Sequence, residues 1–163
     1  MNIGKSIKLA LEYYQGGKLQ LAERTLRKIL NVQKSNAAAY YHLGNILYDT
    51  RRIEEAISCY DKALALNPSF AGTHYNLGTI FLEKDNLERA IYHFQKALQL
   101  DPWLGEAHFN MGNILAGQGR LEQSFEHYSE ALKINPDDEE ARQNREKVLS
   151  LMKKSSFQHP KTD

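Results

Sequence analysis

Six histidines and one cysteine are the side chains of this sequence best suited to ligate a metal or act as a nucleophile. His74 and His108 lie 34 residues apart, as do His93 and His127. If that interval separates equivalent stations on successive structural units, the members of each pair sit about one helix-packing distance apart, roughly 10 Å. A shared metal ion needs both imidazole nitrogens within ~2.1 Å of it, so these histidines read as aromatic substitutes in a packing pattern and no metal is expected. Cys59 stands 34 residues before His93 and shares its station. A single cysteine has no disulfide or CxxC partner, which suits a reducing compartment, and it reads as a packed, inert thiol. Gly16-Gly17 and Gly117-x-Gly119 fit turns between helices rather than a phosphate-cradling loop. Trp103, beside Pro102, is expected to pack between structural units, with Ser69 at the same station one unit earlier. No catalytic residue, metal or cofactor is implied.

The composition narrows the class further. At 163 residues, with 42% apolar and 25% charged side chains, the chain has the balance of an ordinary globular domain rather than a disordered one. Its formal charge of +1 gives no field to attract nucleic acid or an anionic membrane surface. Lys5, Lys8 and Glu12 break up every apolar stretch near the N-terminus, so no signal peptide is expected. No apolar run approaches the ~18 residues that span a bilayer. A soluble, cytoplasmic protein is expected.

The elements that position these residues follow from one period. Asn67-Pro68, Asp101-Pro102 and Asn135-Pro136 recur at intervals of 34. The same interval relates Leu43-Gly44, Leu77-Gly78 and Met111-Gly112. It also relates Ala56, Ala90 and Ser124, then Tyr60, Phe94 and Tyr128, then Ala63, Ala97 and Ala131. Leu43, Ile46 and Leu47 have helical spacing, and so do Ala56, Tyr60, Ala63 and Leu64, so each copy is a helical hairpin. Glycine inside a helix costs ~1 kcal/mol relative to alanine. Gly44, Gly78 and Gly112 therefore imply close helix approach, with Tyr60 and its equivalents filling the space between. The prolines are expected in the first turn of each new helix, where no N–H is needed. Ala141, Val148, Leu149 and Met152 share one face of a final helix over 139–152, started by Asp137 or Asp138, and 153–163 reads as a mobile tail.

Tyr40-x-x-Leu43-Gly44-x-x-Leu47, followed by Ala56, Tyr60, Ala63 and Pro68, resembles the tetratricopeptide repeat. Three good copies cover 37–70, 71–104 and 105–138, with His74 and His108 in the aromatic slot of Tyr40. A degenerate copy over 3–36 keeps Leu9, Ala10, Tyr13, Ala22 and Leu26, but has Ile29 for the second alanine and Lys34 for proline. The resemblance implies an all-α fold: a right-handed α-solenoid of four helix-turn-helix repeats plus a C-terminal capping helix, one domain over 1–152.

It also implies a concave groove, lined by the first helices, that holds a peptide or partner segment. The slots facing it carry Tyr41, His42 and Asn45, then Tyr75, Asn76 and Thr79, then Phe109, Asn110 and Asn113. Asparagine amides both donate and accept, so a row of them can pair with the backbone of an extended peptide. Asn76 and Asn110 are similar to the asparagine ladder of the repeat domain in O-linked N-acetylglucosaminyl transferases, with His42 departing from it. Asparagine and tyrosine are also ordinary at these slots in the family, and both readings stand. A carboxylate clamp for chaperone tails is not expected, because Tyr41, Asn45, Asn76, Glu106 and Asn110 occupy its slots without a cation. Asp49, Glu83 and Glu106 make the groove mildly acidic. Ile7 and Leu11 beside Tyr14 and Tyr41 read either as an apolar patch, for a hydrophobic side chain or a second copy, or as variation in an edge repeat.

The expected function is a non-enzymatic adaptor or scaffold that binds a protein or peptide partner. The alternatives are a self-assembling scaffold, with a homo-oligomer as partner, and a targeting or substrate-selecting module for a separate transferase. Four copies of 34 leave 27 of the 163 residues, too few for a catalytic domain.

Overall fold

The structure, a computed structural model, describes residues 2–158. All nine elements among the described residues are α-helices: α1 Ile3–Gln15, α2 Leu19–Val32, α3 Ala37–Asp49, α4 Ile53–Leu66, α5 Ala71–Glu83, α6 Leu87–Leu100, α7 Gly105–Gly117, α8 Leu121–Ile134 and α9 Glu139–Gln158. The odd helices through α7 begin at 3, 37, 71 and 105, and the even ones at 19, 53, 87 and 121, so both series keep the interval of 34. One domain is expected over 1–152 from the repeat. The chain divides into two compact units, 1–73 and 74–163, with the boundary inside α5.

The starts of α1, α3, α6 and α9 are set by short polar side chains. Asn2 Oδ1 accepts from the Lys5 N–H at 3.1 Å, Asn36 from Ala39 at 2.9 Å and Asn86 from Arg89 at 3.1 Å, each satisfying a donor that the first turn leaves open. Asp138, one of the two candidates at the last helix, accepts from the Ala141 N–H. The turn inside each hairpin passes through a left-handed residue at one station: Gly17, Arg51, Asp85 and Gly119, with φ between 55° and 72°. Two of the four hairpins therefore hold a non-glycine residue where a side chain is strained.

The prolines are not where the sequence places them. Pro68, Pro102 and Pro136 sit in the turns before α5, α7 and α9, not in the first helical turn. Their ring bars the α conformation to the preceding residue, so Asn67, Asp101 and Asn135 end the even helices near φ −143° to −125° and ψ 89° to 96°. Asn67 and Asp101 then fold their side-chain oxygens back onto the N–H of Ser69 and Trp103.

Three of the four hairpins are closed by a ring against a glycine. A Cβ on Gly44 would lie 2.5 Å from the Tyr60 ring, one on Gly78 2.7 Å from Phe94, and one on Gly112 2.7 Å from Tyr128. All three rings are fully buried, among alanines such as Ala56, Ala63, Ala90, Ala97 and Ala131. Burying a side chain of this size contributes about 2 to 3 kcal/mol, enough to offset glycine's poor helix propensity. The first copy reaches the same closure with Ala10 and Leu26, both buried: a slimmer side chain opposite leaves room for the methyl group.

The final helix differs from its expected outline. It continues to Gln158, so 153–158 are helical, and the rest of the expected tail, 159–163, lies outside the described residues. Lys153 and Lys154 are good helix formers, and no proline or glycine intervenes before Pro160. Ala141 and Val148 are buried, but Leu149 is exposed. One residue is a 100° step around a helix, which carries Leu149 off the packed stripe.

Candidate functional site

All nine predicted groove residues are half-buried, as a surface lining requires, but the hydrogen bonds that hold them differ along the chain. In the first unit, Tyr41 stacks on Phe70 with ring centroids 4.9 Å apart and meets His42 edge-on at 5.0 Å. Burial pushes the His42 pKa down, which keeps the ring neutral. The Tyr60 hydroxyl donates to Asn45 Oδ1 at 2.8 Å. Leu11 and Tyr14 share a cavity with His42 and Asn45, but its volume is about 10 Å³, room for roughly one water molecule. Ile7 does not line it. Tyr14 donates to Asp49 Oδ2 at 2.5 Å, and burial together with that carboxylate pushes its pKa up to about 12. The expected apolar N-terminal patch thus contains a tyrosine with a charged partner.

In the second unit, Tyr75 and Phe109 lie tilted against the buried rings of Phe94 and Tyr128, with centroids 5.9 and 6.0 Å apart. Burial raises the Tyr75 pKa; bonds to Thr79 and Asn110 oppose the shift and the Glu106 carboxylate adds to it. Asn113 Oδ1 accepts twice, from the Tyr128 hydroxyl at 2.6 Å and from Asn144 Nδ2 at 3.2 Å. Asn144 lies on α9, and with Lys147 it lines a cleft of about 370 Å³ beside Asn113 and Tyr128. The side chains that hold these amides, Tyr60 on Asn45 and Tyr128 and Asn144 on Asn113, are absent from the sequence-based set.

A family model of the TPR repeat matches residues 44–85, and one of the tetratricopeptide repeat matches 71–104 and 105–138. The chain belongs to the tetratricopeptide repeat family. Its fold class is the all-α solenoid of helix-turn-helix repeats, and TPR chains are in general protein-interaction modules. A search of curated proteins by sequence finds no match. Among solved structures, this TPR chain is similar to pilF of Pseudomonas aeruginosa, at 25% identity and TM-score 0.82 over 93% of this chain and 69% of that one. It is also similar to YrrB, described as a TPR protein with an unusual peptide-binding site, at 26% identity and TM-score 0.73 over 96% and 86% of the two chains. MamA is similar at 25% identity and TM-score 0.73, over 83% and 79%.

The histidines pair within a TPR copy rather than across copies. His74 Nδ1 lies 3.1 Å from His93 Nδ1, and His108 Nδ1 lies 3.0 Å from His127 Nδ1. His108 Nε2 also lies 3.2 Å from the Pro102 carbonyl, which can only accept. Nε2 of His108 therefore carries a hydrogen, and of the two facing Nδ1 atoms one donates to the other. Burial pushes the His93 pKa down to about 4, with His74 and Arg89 adding to the shift, and burial and His108 push His127 down as well. Rings bonded directly to each other within one hairpin fill packing positions, and no cluster of three metal-ligating side chains occurs among the described residues. Cys59 is buried and its thiol pKa is raised by that burial. Trp103 overturns its expectation: it is 75% exposed, because the turn after Pro102 carries it out past the end of α6 instead of between helices. No helix among the described residues is long and apolar enough to cross a membrane.

Proposed function

We propose that this TPR chain is a non-enzymatic adaptor that holds an extended segment of a partner protein along its first helices. The observation that supports this most is the locked amide. Tyr128 and Asn144 occupy both lone pairs of Asn113 Oδ1, so its NH2 group is left to donate, and a polypeptide carbonyl is the acceptor found at every residue of any partner. Asn76 and Asn110 sit one TPR copy apart on the same station and add two more amides, while Tyr75 and Phe109 present ring faces for side chains. The YrrB likeness supports a peptide ligand. A terminal carboxylate is disfavoured: Glu106 stands where a clamp would need a cation, and each charge-assisted bond forgone is worth ~1.5 to 3 kcal/mol.

The test is to select peptides from a random display library on the wild-type chain and measure them by fluorescence polarisation against Asn76→Ala combined with Asn110→Ala. Binding should weaken by about 1 to 3 kcal/mol while the thermal midpoint barely moves. Selected peptides that bind both proteins equally would dismiss the amides as the recognition element.

A further inference from the structure

Where the third and fourth copies carry paired imidazoles, the second carries Tyr40 and Cys59 at the same two stations. A thiol is far smaller than an imidazole, and beside it a cleft of about 400 Å³ opens within the first unit, among α2, α3 and α4. Its floor is apolar: Leu43 and Cys59 are buried and Tyr40 is half-buried. Its rim is cationic: Arg27, Lys34 and Lys62. None of the groove residues lines it.

The charges on the rim are not equally committed. Arg27 donates from Nε and Nη2 to Glu23 at 2.9 and 2.8 Å, and Arg52 bridges Glu23 and Glu55 at 2.8 and 2.7 Å. Two arginines and two carboxylates thus form a neutral cluster at one edge. Lys34 and Lys62 belong to none of these pairs; the Lys62 ammonium lies 5.6 Å above the Tyr40 ring, over the floor. Two uncompensated ammonium groups over an apolar floor match a dianion attached to an apolar body. A phosphate monoester carries about −1.5 to −2 at neutral pH, where a carboxylate carries only one charge.

We propose that this cleft binds a small organic phosphate monoester, its aromatic or aliphatic body on Tyr40, Leu43 and Cys59 and its phosphate between Lys34 and Lys62. The volume lies within the ordinary range for small-molecule sites, roughly 300 to 1,000 Å³. The chain has one cysteine, so the site contains its own reporter.

The test uses phenyl phosphate as probe on the full chain, reading alkylation of Cys59 by neutral iodoacetamide through mass spectrometry. Phenyl phosphate should slow alkylation at millimolar concentration, and inorganic phosphate or phenol should need at least roughly tenfold more, since each offers half of the match. Calorimetry with Lys34→Met combined with Lys62→Met should show affinity lower by at least about tenfold. Cys59→His, which places in the cleft the ring that later copies carry, should abolish binding. If that variant fails to fold, the surface lysine pair decides alone. An alkylation rate unchanged by ~10 mM phenyl phosphate, equal protection by inorganic phosphate, or undiminished binding to either folded variant would overturn the assignment.

Discussion

Gly78→Ala tests whether each hairpin is held by a ring pressed on helix backbone. A methyl group at Gly78 would lie 2.7 Å from Cδ1 and from Cε1 of Phe94, about 1 Å inside ordinary carbon contact. Phe94 cannot easily yield, because it is fully buried and backed by Tyr75. Helix propensity acts the other way and favours alanine by about 1 kcal/mol. Overpacking in a close-packed core costs about 1 to 3 kcal/mol, and two simultaneous ring contacts place this site at the upper end. The net expectation is a loss of about 1 to 2 kcal/mol, a fall of roughly 2 to 8 °C in the midpoint for a chain of this size. Phe94→Leu alone also destabilises, through lost burial. Combined, the two should cost less than their sum by about 2 kcal/mol, since leucine frees the volume the methyl group needs. The first copy already contains this combination as Ala10 and Leu26, both buried. Urea unfolding followed by circular dichroism, at constant m, gives all four stabilities. Gly78→Ala as stable as wild type, or strict additivity in the cycle, would refute the ring-on-backbone account.

Gly117→Ala is the opposite case: no atom lies within 4 Å of the added methyl group at the last residue of α7, so only propensity acts, and the melting midpoint should rise by about 1 to 4 °C. Acid should weaken the fold through His93, which takes up a proton near 6.5 when unfolded but only near 4 when folded. The unfolded chain then binds more protons between those limits. Stability should fall as pH drops from about 6.5 to about 4, by up to about 3 kcal/mol, and then level off on that account; His93→Gln should flatten this limb in urea titrations run across pH. Tyr14→Phe removes the hydroxyl that reaches Asp49 and should cost about 1 kcal/mol in the same assay; no change would show the contact to be idle in solution.

The helices and their pairing were legible in the sequence because helix-forming stations repeat along the chain, and a period compares like with like. Contacts inside a hairpin join unlike stations, which a period cannot see. His74 meets His93 and His108 meets His127 across 19 residues, whereas the 34-residue interval directs attention to His74 with His108. The locked amides hide in the same way, at a separation of 15 residues: Asn45 with Tyr60 and Asn113 with Tyr128. Yet a trace was present in the residue types. The third copy, whose ring is Phe94 and has no hydroxyl to give, carries Thr79 in place of the asparagine, and the first pairs Leu26 with Leu11. A polar group half-buried beside an aromatic edge is retained where that edge can donate to it, and is replaced where it cannot, because an unmet acceptor there costs about 1 to 3 kcal/mol. Within-copy covariation of this kind, read at 15 and 19 residues as well as at 34, would have located Tyr60, Tyr128 and both imidazole pairs before any coordinates. Trp103 would still have been missed, since it follows a proline turn that points it outward; Asn144, by contrast, stands 34 residues after Asn110 on a helix that itself begins 34 after α7, so the period alone extends the row of amides to it.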